Sequence, residues 1–218
     1  WRSNFLRNLP TFVTDPRTPL LLMMALKTAR PPVSSDELAP YLEVLLRNNL
    51  VELAYSSWLQ FLSDDELGNL GRMTNGSFET KPSGLPFDWT IRVGNNAIAE
   101  IQPLPRTPEA RGLHVEFSGE RATFSAAVQQ WLSLPAGTYR FSGSVEGELT
   151  GRRGLRWRIL CSGMPPSKIA ETDMIIGKLA AGRTFEVHFS VPVEDCRGQI
   201  LRLEHDARSA SEQIILGS

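Results

Sequence analysis

The sequence predicts an α+β chain with its two kinds of structure segregated, an N-terminal helical segment over residues 1–73 and an all-β jelly-roll sandwich over residues 74–218. Three observations predict it. From Thr18 to about Arg72 the apolar residues recur at helical spacing. From Thr74 onward they alternate with polar residues, and turn residues punctuate the chain about every 8–12 positions. The composition, 41% hydrophobic and 22% charged, is that of a chain able to bury a core.

Thr18-Pro19 is a helix start, with Thr as N-cap and Pro at the first helical position, and Arg30-Pro31-Pro32 stops the helix that runs through Ala29. Leu38, Tyr41, Leu42, Leu45 and Leu46 then fall on one helix face, and Ser34 with Glu37 can form a capping box before them. Pro40 lies in the second turn of that box; a start at Asp36 places it where its missing N–H matters less. Asn48-Asn49 breaks the helix. Leu50, Leu53, Ala54, Ser57, Trp58 and Phe61 form a second stripe, so two antiparallel helices are expected face to face. Ser63 and Glu66 open a further short helix through Leu67 and Leu70. The segment reads as the end of a helical repeat array, tetratricopeptide-like without a clean consensus, or as a helical cap on the next domain.

In the β part, Leu113, Val115 and Phe117 oppose His114 and Glu116. Tyr139, Phe141 and Val145 alternate with Arg140, Ser142 and Ser144, and Leu155, Trp157, Ile159 and Cys161 with Arg156, Arg158 and Leu160. Val187, Phe189 and Val191 oppose Glu186, His188 and Ser190, and Leu201 and Leu203 oppose Arg202 and Glu204. Pro135-Ala136-Gly137 and Gly182-Arg183 read as hairpin corners. Eight to ten such strands with no helical period between them argue for two antiparallel sheets packed apolar face to apolar face.

A net charge of −1 argues against nucleic acid as the main partner, because phosphate binding needs a basic excess. The longest apolar run, Leu20 to Leu26, is too short for a membrane-spanning helix. The chain begins at Trp1 and reads as a piece of a longer protein. Cys161 and Cys196 form no CxxC pair, so zinc is not indicated. Two readings stand for them, free thiols or a disulfide between two strands, the second of which implies an oxidising compartment.

Asn75-Gly76-Ser77-Phe78-Glu79, followed by Asp88-Trp89 and by Leu134-Pro135-Ala136-Gly137-Thr138-Tyr139, resembles the opening strands and the L-x-P-G-x-Y hairpin of bacterial carbohydrate-binding modules of the jelly-roll, galactose-binding-like type. The resemblance covers residues 74 to 218. It implies non-catalytic binding of a saccharide or polysaccharide in a cell-envelope or exported protein, periplasmic or extracellular. It also implies a structural calcium held through Glu79, for which Asp206 and Glu212 are the nearby C-terminal acids. The alternative is a structural or protein-interaction module, with the sandwich buttressing a helical array that meets a protein partner in an export or polysaccharide-assembly system.

Saccharide recognition combines aromatic faces with planar polar side chains. Trp131 shares its strand face with Gln129, opposite Val128 and Leu132, and is the candidate platform; a Trp docking the helical segment gives the same pattern. Arg152, Arg153, Arg156 and Arg158 form a basic cluster, with Arg156 and Arg158 on one face and Arg140 added from a preceding strand. Guanidinium groups suit carboxylates and sulfates, and equally a solvated face paired with Glu146, Glu148 or Glu204. The expected site is therefore Trp131, Gln129, Arg140, Arg156 and Arg158. Trp58, Trp89 and Trp157 fall on apolar stripes and are read as core. Glu146 and Glu148 are i, i+2 neighbours, a spacing any polar strand produces, and His114, His188 and His205 share no metal motif. No P-loop, dinucleotide turn or GxSxG appears, and no enzyme is indicated.

Overall fold

A computed structural model describes residues 1–92, 96–118, 124, 127–150 and 154–205. Arg152 and Arg153 of the expected basic cluster, and the C-terminal acids Asp206 and Glu212, lie outside the described residues. Five helices come first: α1 (Arg2–Phe12), α2 (Thr18–Ala25), α3 (Ser35–Arg47), α4 (Val51–Leu59) and α5 (Asp64–Gly68). Among the described residues nine strands follow: β1 (Thr90–Ile91), β2 (Ala97–Leu104), β3 (Thr107–Phe117), β4 (Val128–Leu132), β5 (Gly137–Leu149), β6 (Leu155–Cys161), β7 (Ser167–Glu171), β8 (Gly177–Val191) and β9 (Gln199–His205).

The helix signals act where the side chains can reach. Ser34 caps α3, and its N–H donates to Glu37 Oε2 at 3.1 Å. Pro40 sits inside that helix, which starts at Ser35 and not at Asp36 as Pro40 suggested. Ser63 caps α5, and Glu66 Oε2 accepts from its N–H at 2.7 Å. Asn49, at φ 56, takes the left-handed position between α3 and α4. Helix α2 ends at Ala25, four residues before the expected stop, and Thr18 is its first residue rather than its cap.

Helix α1 had no counterpart in the sequence pattern, because Pro10 interrupts it and no acidic residue marks its first turn. It is held by Glu37. That buried carboxylate accepts from Arg2 Nη2 at 2.9 Å, from Ser3 Oγ at 2.7 Å and from the Ser34 N–H. Burial pushes its pKa up, but the Ser3, Ser34 and Arg2 bonds outweigh burial and hold it below the usual range. A carboxylate lowered in the folded state contributes stability above its unfolded pKa and loses it as pH falls through the folded one. Melting temperature is therefore expected to be level near neutrality and to fall below about pH 4.5. In Glu37→Gln the drop should be shallower and the neutral melting temperature lower; a pH profile unchanged by that substitution would contradict the role given to Glu37.

In the β part, β1-β4-β9-β6-β7 form one antiparallel sheet, while β2-β3 and β5-β8 are two-stranded ribbons. The predicted alternation places Trp157, Ile159 and Cys161 of β6 and Leu201 and Leu203 of β9 on the buried inner face. Against them pack Ala97, Ala99 and Val115 of β2-β3 and Phe141, Phe189 and Val191 of β5-β8. The result is a β-sandwich, a five-stranded sheet facing two ribbons across one apolar core. Trp157 lies at its centre, 5.7 Å from the ring of Trp89 and 5.6 Å from that of Phe141. Cys161 and Cys196 are joined by a disulfide that ties the end of β6 to the segment before β9.

Three local readings are corrected. Gly182-Arg183 is not a hairpin corner; it lies within β8, where the pairing with β5 shifts between Val145 and Gly147 and Gly182 takes φ +78°. Pro135-Ala136-Gly137 does not close a hairpin either, because β4 and β5 belong to different sheets and the turn carries the chain between them. Nor is Asn75–Glu79 a strand: Asn75 and Phe78 have positive φ and the segment turns. The turn covers the core edge, with Phe78 5.1 Å from the Trp89 ring and the Asn75 carbonyl accepting from Trp89 Nε1 at 2.9 Å.

A second apolar cluster fills the helical segment, with Leu6, Met23, Leu38, Tyr41, Leu42, Leu45, Val51, Ala54 and Trp58 buried. Leu85 and Phe87 complete it from beyond residue 73, and the rings of Tyr55 and Trp58 lie 5.1 and 5.6 Å from Phe87. Trp131 of β4 packs against the same cluster. Polar contacts continue the join: Ser162 Oγ to Asn49 Oδ1 at 3.2 Å, and Arg92 Nη2 to Glu43 Oε1 at 2.7 Å. Gly198 faces Val51 so closely that a Cβ at 198 would stand 2.6 Å from a Val51 methyl. Among the described residues no helix is long and apolar enough to cross a membrane.

Candidate functional site

The outer face of the five-stranded sheet runs in rows across paired strands. One row is Trp131, Ile200 and Leu160, and the next is Thr90, Gln129, Arg202, Arg158 and Glu171. The first is apolar. Ile200 and Leu160 are buried although the alternation assigned Leu160 to the solvent side.

The second row is a charged lattice. Arg158 Nε donates to Glu171 Oε2 at 3.1 Å and its Nη1 to Glu204. Arg156 Nη1 donates to Glu171 Oε1 at 3.2 Å, and Lys168 Nζ reaches the same oxygen at 2.9 Å. Arg202 donates through Nη1 to Glu204 Oε1 and through Nε to Gln129 Oε1, both at 3.3 Å. The Lys168 bond, joined by those of the two arginines, holds the Glu171 carboxyl below the usual range against its partial burial. Burial pulls Arg158 down, but its bonds to Glu204 and Glu171 outweigh that and raise it further. Arg156 and Arg158 thus both bond carboxylates of neighbouring strands, although the buried Nε of Arg156 has no partner.

Between the two rows and helix α3 lies an open cleft of about 430 Å³. Thr90, Gln129, Trp131 and Ile200 line it from the sheet, Glu43, Leu46 and Arg47 from α3, and Ser162, Gly163, Met164 and Pro166 from the β6–β7 turn. Arg92 and Asn49 stand at its sides. Trp131 is half-buried, packed on the helical cluster and also lining the cleft. The helices thus wall the cleft as well as meeting Trp131.

Of the five expected site residues, the structure brings Trp131 and Gln129 to the cleft. Arg158 stands in the same row as Gln129, and Arg156 beside it in the lattice. Arg140 is not with them. It lies on β5 opposite His188, between Tyr139 and Phe141, whose side chains pack on the shared core, so it projects from the other side of the sandwich. Sequence reasoning missed Arg47, Asn49 and Arg92. Asn49 was legible only as a helix breaker, and nothing local links α3 to a strand about 80 residues later.

Glu79 is exposed, and among the described residues no group of three or more His, Cys, Asp or Glu side chains gathers. The acids expected to share a calcium with Glu79, Asp206 and Glu212, lie outside the described residues. The histidines stay apart: His114 faces Glu116, His188 faces Glu186, and His205 stacks on Phe117.

No family model matches this sequence, and no curated protein matches it. Among solved structures, one described as "CBM4 structure and function" aligns with 62% of this chain and 91% of that chain, at 17% sequence identity and a TM-score of 0.42. That alignment transfers no residue role to this chain.

Proposed function

We propose that this chain binds a saccharide, without catalysing a reaction on it, in the cleft between the five-stranded sheet and helix α3. One observation carries the reading: a half-buried tryptophan, Trp131, lines an open cleft of about 430 Å³ beside the amide of Gln129. That volume is in the range of small-ligand sites, and an aromatic ring with adjacent planar polar groups is the combination sugar rings require. The absence of a catalytic step is supported by the lining, in which the one carboxylate among the described residues, Glu43, is bonded to Arg92. The sandwich is proposed to be a jelly roll of the galactose-binding-like kind, which the non-sequential order β1-β4-β9-β6-β7 supports. A periplasmic or extracellular setting in a bacterial envelope protein is supported by the Cys161–Cys196 disulfide.

A glycan-array screen of the whole chain tests this. Trp131→Ala is expected to weaken the binding found by about tenfold or more, the effect of removing a central aromatic contact. Because Trp131 also packs on the helices, Gln129→Ala is the companion variant, expected to weaken binding severalfold with an unchanged circular dichroism spectrum. A silent array with folded protein, or binding untouched in both variants, would overturn the proposal.

A second reading is favoured by Trp1, Phe12 and Leu21, which are 96%, 81% and 70% exposed on the helical segment. In it these helices, as the end of a tetratricopeptide-like array, meet a protein partner in an export or polysaccharide-assembly system.

A further inference from the structure

We infer that the cleft selects an anionic saccharide, one bearing carboxylate or sulfate groups; this rests on the saccharide reading above and names its ligand class. A guanidinium only donates, so the Gln129 atom facing Arg202 Nε at 3.3 Å is its carbonyl oxygen. One of that oxygen's two lone pairs is thus taken by the protein, while both N–H donors of the amide are left for a ligand.

Asn49 repeats the arrangement. Ser162 Oγ accepts from the Gly198 N–H at 3.2 Å and donates to Asn49 Oδ1 at 3.2 Å, which leaves the Asn49 N–H₂ as its free end. Thr90 is the exception: its Oγ1 spends its proton on the Gln129 backbone carbonyl at 3.0 Å and so can only accept from a ligand. Arg47 uses Nε on the Glu43 carbonyl at 3.4 Å and keeps both terminal nitrogens. Arg92 uses Nη2 on Glu43 Oε1.

The polar wall is thus mostly donors. Its formal charges are Arg47, Arg92 and Glu43, a positive excess in a chain whose net charge is −1. Neutral sugar hydroxyls donate as well as accept, so they call for acceptors in the wall as well as donors. Here the one carboxylate is already engaged. Carboxylates and sulfates only accept, and they match guanidinium forks in pairs. Arg92 gives Glu43 one nitrogen, Nη2, so the pair can stay intact while the rest of the guanidinium meets a ligand anion.

The test uses the whole chain and two matched ligand pairs that differ in charge, polygalacturonate against its methyl ester and dextran sulfate against dextran, in affinity gel electrophoresis. The wild type is expected to bind at least one anionic member about tenfold or more tighter than its neutral counterpart, with affinity falling as NaCl rises from about 50 to about 500 mM. The double variant Arg47→Gln/Arg92→Gln is expected to fall to the neutral level. Arg106→Gln, an exposed charge at the β2–β3 turn, is expected to change nothing. An equal loss in Arg106→Gln, or undiminished binding in the double variant, would overturn the assignment as diffuse attraction or a different site. Binding of neutral glycans as tight as anionic ones would overturn the ligand class and leave the saccharide reading standing. Silence from both pairs and from the glycan array would remove both.

Discussion

Replacing Cys161 and Cys196 together by Ser is expected to lower the stability of the folded chain by about 4 kcal/mol, the chain-entropy contribution of closing a loop across a sequence separation of 35. For a protein of this size that corresponds to a melting temperature lower by roughly 10 °C, measurable by calorimetry with and without reductant. The position of the bridge adds a local consequence. Cys196 lies two residues before Gly198 and three before Gln199, and both hold this region: Gly198 N–H donates to Ser162, Gly198 faces Val51, and the buried Gln199 accepts from the Leu134 N–H at 2.9 Å. Loss of the disulfide should therefore raise amide exchange most in residues 192–199 and around Asn49. Identical melting curves for oxidised and reduced protein would show that the bridge does not constrain the unfolded chain as described.

Trp157→Ala is expected to cost about 3–5 kcal/mol, the range for removing a large buried aromatic side chain without refilling its space. The magnitude follows from its placement. Trp157 is 7% exposed and its ring touches Trp89 at the edge of its own sheet and Phe141 on the facing ribbon. Its backbone N–H also donates to the buried Thr172 hydroxyl at 3.2 Å, which anchors the segment leaving β7. Truncation removes the one ring that bridges those two aromatic neighbours. Trp157→Phe keeps an aromatic ring between them and should cost clearly less. The check is the denaturant midpoint of each variant at unchanged slope; a loss below about 1 kcal/mol in the alanine variant would place Trp157 outside the core.

Much of this architecture was legible in the sequence. The Ser34–Glu37 and Ser63–Glu66 boxes, the Asn49 break and the alternation along β6 and β9 all rest on interactions within a few residues, which a linear pattern records. Other features rest on partners far apart in the chain. Glu37 was legible as a capping residue, but its bonds to Arg2 and Ser3, which hold α1 in place, were not. Leu160 occupies a polar position of its strand and is buried beside Ile200, because covered outer-face positions break the two-residue rule. The cleft shows the same limit. Trp131 and Gln129 stood out as an aromatic and an amide on a polar strand face, whereas Arg47, Asn49 and Arg92 join them around the cleft only once the helical cluster packs on Trp131. Arg140 shows the converse error, since equal alternation on two strands does not say that they belong to one sheet.

Leu85 and Phe87 carry a consequence for heredity. They lie beyond the last helix, yet they fill the helical core, where Phe87 meets Tyr55 edge-on and Trp58 at a tilt. A recombination that exchanged the helices at residue 73 would strip that core of two side chains and leave the incoming sandwich with two apolar residues in search of a cover. The unit that can be shuffled between genes, or transplanted by an engineer, therefore ends after Phe87 rather than where the helices end. Even then it brings the demand that its new neighbour present a glycine opposite Val51.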